Sequence, residues 1–222
     1  MVREEITGLV LAGGQGSRMA GVDKGLQLFN GVPLALHALH FLQPQVSRVA
    51  VSANRNLSVY AAWGMPVWTD ATNTPGLLKP FAGPLAGFSA GLTQCETPYL
   101  LAVPCDVPFF PADLAVRLST ALAIAKANAA YATHIAADGS VTAQPVFCLM
   151  AVRFAQMSLR IYRQQGGKSI KQWLSGIPAV AVPFDSLHGE PNLFANANTL
   201  VELEQLQLGA SLKPIQAFTS QK

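Results

Sequence analysis

The distribution of apolar residues predicts a chain that alternates between strands and helices. Short apolar runs that end in glycine, proline or small polar residues are typical of strands buried in a sheet. Longer segments that favour helix lie between most of them. The predicted strands cover residues 6–11, 48–54, 67–70, 99–106, 130–135, 142–149 and 179–182, and the predicted helices cover residues 34–42, 83–92, 111–129, 152–165, 169–174 and a last one from residue 200.

One pair of predicted strands departs from this alternation. No helix is predicted between residues 130–135 and 142–149, and Asp138 with Gly139 has the composition of a hairpin turn. We therefore expect an α/β protein with a mostly parallel sheet and a small antiparallel insertion. The length of 222 residues suits a single domain, because two independent domains would be cramped.

Composition indicates a globular protein with a large core. Hydrophobic residues make up 50% and charged residues 12%, and no apolar run approaches the roughly 18 residues of a membrane span. The first residues lack a signal-peptide core, so we expect a soluble, cytoplasmic protein. A net charge of +3 is too small to indicate nucleic acid as a partner, although it suits an anionic substrate. The three cysteines have no metal-binding spacing and are expected to be buried thiols.

The segment after the first predicted strand carries the strongest functional signal. Residues 8–25 contain a group of glycines together with Arg18 and Lys24. Backbone amides in such a loop form a concavity that binds anions, and two cations can neutralise charge on phosphate oxygens. This combination predicts a polyphosphate site. The alternative is a loop whose glycines serve only to turn the chain.

Two common glycine motifs do not fit this segment. A dinucleotide fingerprint requires glycine at the position of Met19, which disfavours an NAD-dependent dehydrogenase. A P-loop requires lysine followed by serine or threonine, whereas Lys24 precedes Gly25. A triplet of that kind occurs at residues 167–169, but it lacks the first glycine of the motif and follows a predicted helix instead of a strand.

Polar residues follow three further predicted strands. Ser52 and Asn54 end the second strand, and Asp70 ends the third. Asp106 ends the fourth and is flanked by prolines, which should hold its carboxylate rigidly. Because the carboxyl ends of parallel strands line the ligand crevice, we expect these residues to face the glycine-rich segment. One carboxylate with phosphate oxygens suffices for Mg²⁺, so Asp106 is the predicted metal ligand. Its alternative role is a helix cap, for which Asp113 is better placed.

A loop is predicted over residues 72–83, which are rich in proline and glycine and include Lys79. Its length favours a functional role over simple connection. The two glycines at the start of the next helix, Gly83 and Gly87, have two possible purposes. They allow either close packing of the helix on the sheet or contact with a nucleotide.

Several motifs in a fixed order resemble one family. Residues 11–24 read L-A-G-G-x-G-x-R-M-x-G-x-D-K, and residues 83–87, 104–106 and 196–199 read G-P-L-A-G, P-C-D and N-x-N-T. The pattern resembles the nucleotidyltransferases that activate sugar phosphates and cofactors. In this form it is most similar to the molybdenum cofactor guanylyltransferase family. The resemblance covers most of the chain, from residue 6 through the last helix.

This resemblance implies a three-layer, doubly wound, mostly parallel α/β sheet of the Rossmann-like nucleotidyltransferase type. It divides the single domain, residues 1–222, into a nucleotide-binding half (6–110), an acceptor-binding half (111–208) and a loose tail (209–222). It also implies transfer of GMP from GTP to molybdenum-loaded molybdopterin, with release of pyrophosphate and with Mg²⁺ as cofactor. Molybdoenzyme maturation proteins are further partners that the resemblance suggests.

The same resemblance implies roles for single residues. Arg18 and Lys24 would hold the triphosphate and Asp106 would bind Mg²⁺, so these three form the predicted catalytic set. Asn198 is expected beside the metal and phosphates. A catalytic serine, cysteine or histidine is not required, because the phosphate of the acceptor is already ionised at neutral pH. The predicted nucleotide-binding residues are Leu11, Ala12, Gly13, Lys24, Ser52, Asn54, Asp70 and Asp106.

Two departures from the family pattern leave alternatives open. Ser52 stands where the guanylyltransferases often have asparagine, and Asn54 on the same strand face can share its work. Gln144 stands where some members have histidine. A cytidylyltransferase or sugar-phosphate nucleotidyltransferase of the same fold is therefore the first alternative. A protein that only binds or carries a nucleotide or molybdopterin is the second, which the presence of Arg18, Lys24 and Asp106 disfavours.

Overall fold

The computed structural model describes residues 2–14, 22–70, 83–135, 138–185, 193–196 and 200–211. Nine strands and seven α-helices are described in these ranges. The strands are β1 (Ile6–Leu11), β2 (Leu28–Phe29), β3 (Val32–Pro33), β4 (Arg48–Ser52), β5 (Val67–Trp68), β6 (Tyr99–Pro104), β7 (Ala129–Ile135), β8 (Val141–Ala151) and β9 (Ala179–Asp185). The helices are α1 (Leu34–Leu42), α2 (Leu57–Ala61), α3 (Pro84–Gln94), α4 (Leu114–Ala125), α5 (Val152–Gln164), α6 (Ile170–Ser175) and α7 (Leu200–Ser211).

Seven strands form one sheet in the order β5-β4-β1-β6-β8-β7-β9. All of its neighbouring pairs are parallel except those that β8 makes with β6 and β7. The mostly parallel α/β architecture is thus confirmed. The chain leaves β1 toward β4 on one side and later returns to β6 on the other, so a crevice opens at the carboxyl ends of β1, β4 and β6.

The sheet is covered on both faces, which produces three layers. Helices α1 and α4 pack on one face, where Val10 belongs to the core, and α3, α5 and α6 pack on the other, where Leu9 does. The alternation of Leu9 and Val10 follows from the two-residue period of a strand. At Gly8 a Cβ atom would lie 2.6 Å from Leu42 Cδ2, so the absence of a side chain lets α1 approach β1 closely. Packing of this density leaves little room for added volume.

The antiparallel insertion is confirmed, and its second strand lies inside the sheet. A turn with Gly139 in the left-handed region (φ 79°) leads into β8, and the Ser140 N–H donates to Asp138 Oδ1 at 2.9 Å. Strand β8 runs to Ala151, two residues beyond the prediction, because residues 148–150 pair with both β6 and β7 and Ala151 pairs with Tyr99 of β6. The hairpin therefore joins the two halves of the sheet.

Some elements differ from the sequence prediction. A two-residue turn, Asn30 and Gly31, both with positive φ, joins β2 and β3 into a small second sheet that was not predicted. Helix α2 was not predicted either. Pro33 holds the N-cap position of α1, which begins at Leu34 as predicted. Asp113 holds the N-cap position of α4 without a side-chain cap.

The amide at the start of α4 finds its partner elsewhere. Ala115 N–H donates to Gln45 Oε1 at 3.0 Å. The side chain of Gln45, which follows α1 in the chain, therefore takes the place of the predicted aspartate cap. Helix α7 packs through Leu203 against Phe29 and Leu34 of the small sheet and α1. Within the described residues, the helices are too short or too polar to span a membrane.

Candidate active site

The carboxyl ends of β1, β4 and β6 surround a cavity of ≈ 300 Å³. Seven of the predicted nucleotide-binding residues line it: Leu11, Ala12, Gly13, Lys24, Ser52, Asp70 and Asp106. Asn54 stands behind the cavity wall and reaches it through Asp70. Arg18 of the predicted catalytic set, Lys79 of the predicted loop and Asn198 lie outside the described residues. As expected for the carboxyl ends of parallel strands, residues from separate sequence segments meet at one crevice.

Backbone hydrogen bonds extend the sheet beyond its strands and fix the cavity floor. Ala12 N–H donates to the Ser52 carbonyl at 2.8 Å, and Cys105 N–H donates to the Leu11 carbonyl at 3.1 Å. At Gly13 a Cβ atom would lie 2.9 Å from Asn54 Nδ2. A side chain at this position would therefore displace the Asn54 amide, whatever the role of Gly13 toward a ligand.

Lys24 and Asp106 form an ion pair at the edge of the cavity. Lys24 Nζ lies 2.6 Å from Asp106 Oδ2, and the two side chains are 19% and 22% exposed. Lys24 begins a 3₁₀ turn (Lys24–Leu26) that Asp23 caps through the Gly25 N–H at 3.2 Å. Asp106 lies two residues after the end of β6, between Pro104 and Pro108. Rigid backbone on one side and a capped turn on the other set the position of both charges.

The donor set around Asp106 fits Mg²⁺. Its carboxylate already binds a cation, the Lys24 ammonium, and faces a cavity large enough for phosphate groups. Mg²⁺ takes one or two carboxylates together with phosphate oxygens and water. The residues that the structure describes contain no group of three or more metal-ligating side chains. A site completed by a bound triphosphate is therefore the type of metal site that these residues can form.

Asp70 lies deeper in the cavity and is held by Asn54. The Asn54 amide donates to Asp70 Oδ2 at 2.8 Å, and the Asp70 N–H donates to Asn54 Oδ1 at 2.9 Å. Burial raises the pKa of the Asp70 carboxyl, while the hydrogen bond from Asn54 and the nearby Arg163 guanidinium act in the opposite direction. This reciprocal pair fixes the carboxylate plane.

Two buried oxygens at this end of the cavity have no hydrogen-bond partner among the described residues. They are Asp70 Oδ1 and Ser52 Oγ, on side chains of residues that are 6% and 1% exposed. Buried polar atoms are normally satisfied, so such atoms in a cavity wall are suited to a ligand that supplies donors. The predicted interpretation of Ser52 and Asp70 as nucleoside-binding residues has this geometry in its favour.

Sequence reasoning missed several residues around the site. Asp23 is buried, accepts hydrogen bonds from the Tyr60 hydroxyl and the Asn56 amide, and forms an ion pair with Arg55, all on the segment after β4. The motif contained Asp23 but gave no signal for its partners, because residues of a distant segment supply them. Arg163 on α5 likewise carries no motif, and only the packing of α5 beside α3 brings its charge near Asp70.

Comparison with known proteins agrees with this geometry. Residues 8–220 match the protein family described as "MobA-like NTP transferase domain". The chain belongs to the MobA-like NTP transferase family. A nucleotidyltransferase is thereby confirmed as the class of enzyme.

Named relatives cover nearly the whole chain. The molybdenum cofactor guanylyltransferase of Ralstonia nicotianae is 53% identical, over 91% of this chain and 96% of its own length. The protein of that name from an Acidovorax species (strain JS42) is 51% identical, over 91% of this chain and 95% of its own. The resemblance stated from the motifs is confirmed.

Solved structures share the fold at low identity. Molybdopterin-guanine dinucleotide biosynthesis protein A from Archaeoglobus fulgidus superimposes with a TM-score of 0.73 at 20% identity, covering 93% of this chain and 100% of that one. A 2-C-methyl-D-erythritol 4-phosphate cytidylyltransferase from Thermus thermophilus superimposes with a TM-score of 0.66 at 15% identity, covering 91% and 98%. Both support the nucleotidyltransferase fold.

Proposed function

We propose that the protein transfers GMP from GTP to the phosphate of molybdenum-loaded molybdopterin, forming the guanine dinucleotide cofactor and pyrophosphate. Relatives about half identical over nearly the whole chain carry the name of this activity. The observation that carries the proposal is that one cavity contains both the Lys24–Asp106 pair and the buried Asp70 carboxylate. The first suits a triphosphate with its metal, and the second suits the nucleoside.

Guanine is the base whose edge best matches the buried acceptors. It offers two adjacent donors, the N1–H and the N2 amino group, and an ionised carboxylate can accept both. Asp70 Oδ1 and Ser52 Oγ lack partners among the described residues, so a donor-rich edge would satisfy them. The backbone of Leu11, Ala12 and Gly13 lines the same cavity and offers further polar groups. Cytosine presents one amino donor beside an acceptor, a poorer match to a carboxylate.

The reaction needs positioning and charge neutralisation. An oxygen of the acceptor phosphate attacks the α-phosphorus of GTP, a new P–O bond forms, and the bond to the β-phosphate bridging oxygen breaks, with pyrophosphate leaving. The nucleophile is already ionised, so no base is required. Lys24 stabilises negative charge on the phosphates and the leaving group, and we assign the same task to Arg18. Mg²⁺ bound at Asp106 would supply further charge neutralisation.

The acceptor would enter beside β8 and the segment after β9. Gln144 and Asn196 line the cavity on that side, opposite the glycine-rich segment. This placement agrees with a nucleotide-binding half over residues 6–110 and an acceptor-binding half over residues 111–208. We expect the reaction in the cytoplasm, since the free thiols of Cys105 and Cys148 suit a reducing compartment, and we expect maturation proteins of molybdoenzymes as partners for the product.

Nucleotide binding separates this proposal from its closest alternative. Calorimetric titrations with GTP, CTP, UTP and ATP, each with Mg²⁺, should show a clear preference for GTP. A preference for CTP or UTP would keep the fold and the phosphate chemistry but make the protein a cytidylyltransferase or sugar-phosphate nucleotidyltransferase. Release of pyrophosphate from GTP only when molybdenum-loaded molybdopterin is added would then identify the acceptor and exclude a carrier.

A further inference from the structure

A buried acidic residue supports the glycine-rich segment from below. Asp23 is 6% exposed, and its carboxylate accepts hydrogen bonds from the Tyr60 hydroxyl at 2.8 Å and the Asn56 amide at 2.9 Å. Arg55 Nε lies 3.6 Å from Asp23 Oδ2. A buried carboxylate is costly without a counter-charge and hydrogen bonds, and these side chains provide both.

Arg55 also reaches the two ends of the glycine-rich segment. One guanidinium nitrogen, Nη2, donates to the Gly14 carbonyl at 3.1 Å and to the Val22 carbonyl at 2.7 Å. Gly14 and Val22 lie on either side of residues 15–21, the part of the motif that contains Arg18. The planar fork of arginine is suited to holding several acceptors at fixed geometry. A single side chain therefore fixes the separation of both ends of the segment.

The charges of two adjacent residues are paired with different partners. Asp23 is beside Arg55, whereas Lys24 is 2.6 Å from Asp106 at the cavity. Without Arg55, the buried Asp23 carboxylate would lack this counter-ion, and we expect the ammonium of the adjacent Lys24 to form an ion pair with it instead. Lys24 would then be withdrawn from Asp106 and from the phosphates of a bound nucleotide. On this argument, the ion pair between Arg55 and Asp23 leaves Lys24 available to Asp106 and to the phosphates.

We propose that Arg55 is a positioning residue for triphosphate binding. It fixes both ends of the glycine-rich segment and neutralises Asp23, so that Lys24 stays with Asp106 and the phosphates. Arg55 itself lies outside the set of residues that line the cavity. This inference rests on the proposed function, because it concerns the same phosphate site.

The test compares Arg55→Met with Arg48→Met. Arg48 begins β4, the strand that precedes Arg55, and its side chain is 66% exposed in an ion pair with Glu96, which makes it a matched control. Calorimetry with Mg²⁺ should show about tenfold or greater loss of GTP affinity in Arg55→Met, as expected when charge-assisted contacts are lost. Guanosine affinity should be unchanged, and Arg48→Met should bind both ligands like the wild type. Unchanged GTP affinity in Arg55→Met, or an equal loss for guanosine, would overturn the proposal.

Two further variants test the two parts of the role. Arg55→Lys retains the charge but not the fork, so its GTP affinity should lie between those of Arg55→Met and the wild type, and full recovery would overturn the bridging role. Asp23→Asn combined with Arg55→Met removes both charges and avoids an unpaired buried carboxylate, which protects against misfolding. It should bind GTP more tightly than Arg55→Met, and equal affinities would overturn the charge role. Failure of the wild type to bind GTP would refute the proposed function as well.

Discussion

At the scale of single residues, the ion pair between Lys24 and Asp106 links the proposed metal site to the proposed phosphate site. Replacing Lys24 by methionine removes the cation that now neutralises Asp106. We expect Lys24→Met to bind GTP about ten- to a hundredfold more weakly, because a charge-assisted contact is lost. We also expect it to bind Mn²⁺ more tightly than the wild type when nucleotide is absent, because the carboxylate no longer has a competing partner.

The measurements for this prediction are GTP calorimetry and Mn²⁺ titration followed by electron paramagnetic resonance. Lys171→Met, a change on the exposed side of α6, is the matched control. If Lys24→Met keeps the wild-type affinity for both GTP and Mn²⁺, the assignment of the ion pair to phosphate and metal binding is wrong.

A second residue-scale prediction concerns Asp70. Its pKa is raised by burial, and the protonated acid cannot accept two donors from a base. GTP affinity should therefore fall as the pH decreases through this raised pKa, at a higher pH than an ordinary aspartate would cause. Arg163 favours the ionised form, so Arg163→Met should raise the pKa further and move the loss of affinity to higher pH.

The check is GTP affinity as a function of pH for three proteins: the wild type, Arg163→Met and Arg160→Met. Arg160 is an exposed arginine on the same helix, α5, and its removal should leave the pH profile in place. Coincident profiles for all three proteins would contradict a role of Arg163 in the ionisation of Asp70.

At the scale of elements, close packing between α1 and β1 supports the glycine-rich segment that follows β1. A Cβ atom at Gly8 would lie 2.6 Å and 2.8 Å from two carbons of Leu42, which is fully buried. Gly8→Ala should therefore lower the free energy of unfolding by about 1–3 kcal/mol, the usual cost of overpacking. Urea unfolding measures this as a lower midpoint with an unchanged slope.

Gly176→Ala is the control for this change. A Cβ atom there would lie 3.5 Å from the Trp173 carbonyl, an ordinary contact, so its unfolding midpoint should remain close to that of the wild type. A Gly8→Ala protein as stable as the wild type would show that α1 can shift away from the sheet without cost.

The elements also show how far sequence reasoning reaches. Strand β1 and helix α1 agree with their predicted ranges, because a short apolar run and a proline-bounded segment are local signals. The position of β8 beside β6 was not predictable in the same way, because it depends on which distant strand offers a free edge. The site divides similarly: Asp106 and Lys24 carry motif signals, whereas Arg55 and Arg163 act through contacts with distant segments.

At the scale of the whole molecule, β8 joins the proposed nucleotide-binding half (6–110) and the proposed acceptor-binding half (111–208) into one sheet. One hydrophobic core contains Val10 of β1 and Leu101 of β6 together with Leu149 of β8. Because the halves share this core, we expect them to unfold together as a single cooperative unit, in agreement with the prediction of one domain.

The three tryptophans allow this to be measured for each half separately. Trp63 and Trp68 lie in the first half and Trp173 in the second, so variants that keep tryptophan in only one half report on that half. In each variant, the urea midpoint measured by tryptophan fluorescence should coincide with the midpoint measured by circular dichroism. GTP with Mg²⁺ should raise both midpoints equally, since a ligand bound to one cooperative unit stabilises all of it. A shift seen only by Trp63 and Trp68 would mean that the nucleotide-binding half unfolds independently and that the chain contains two folding units.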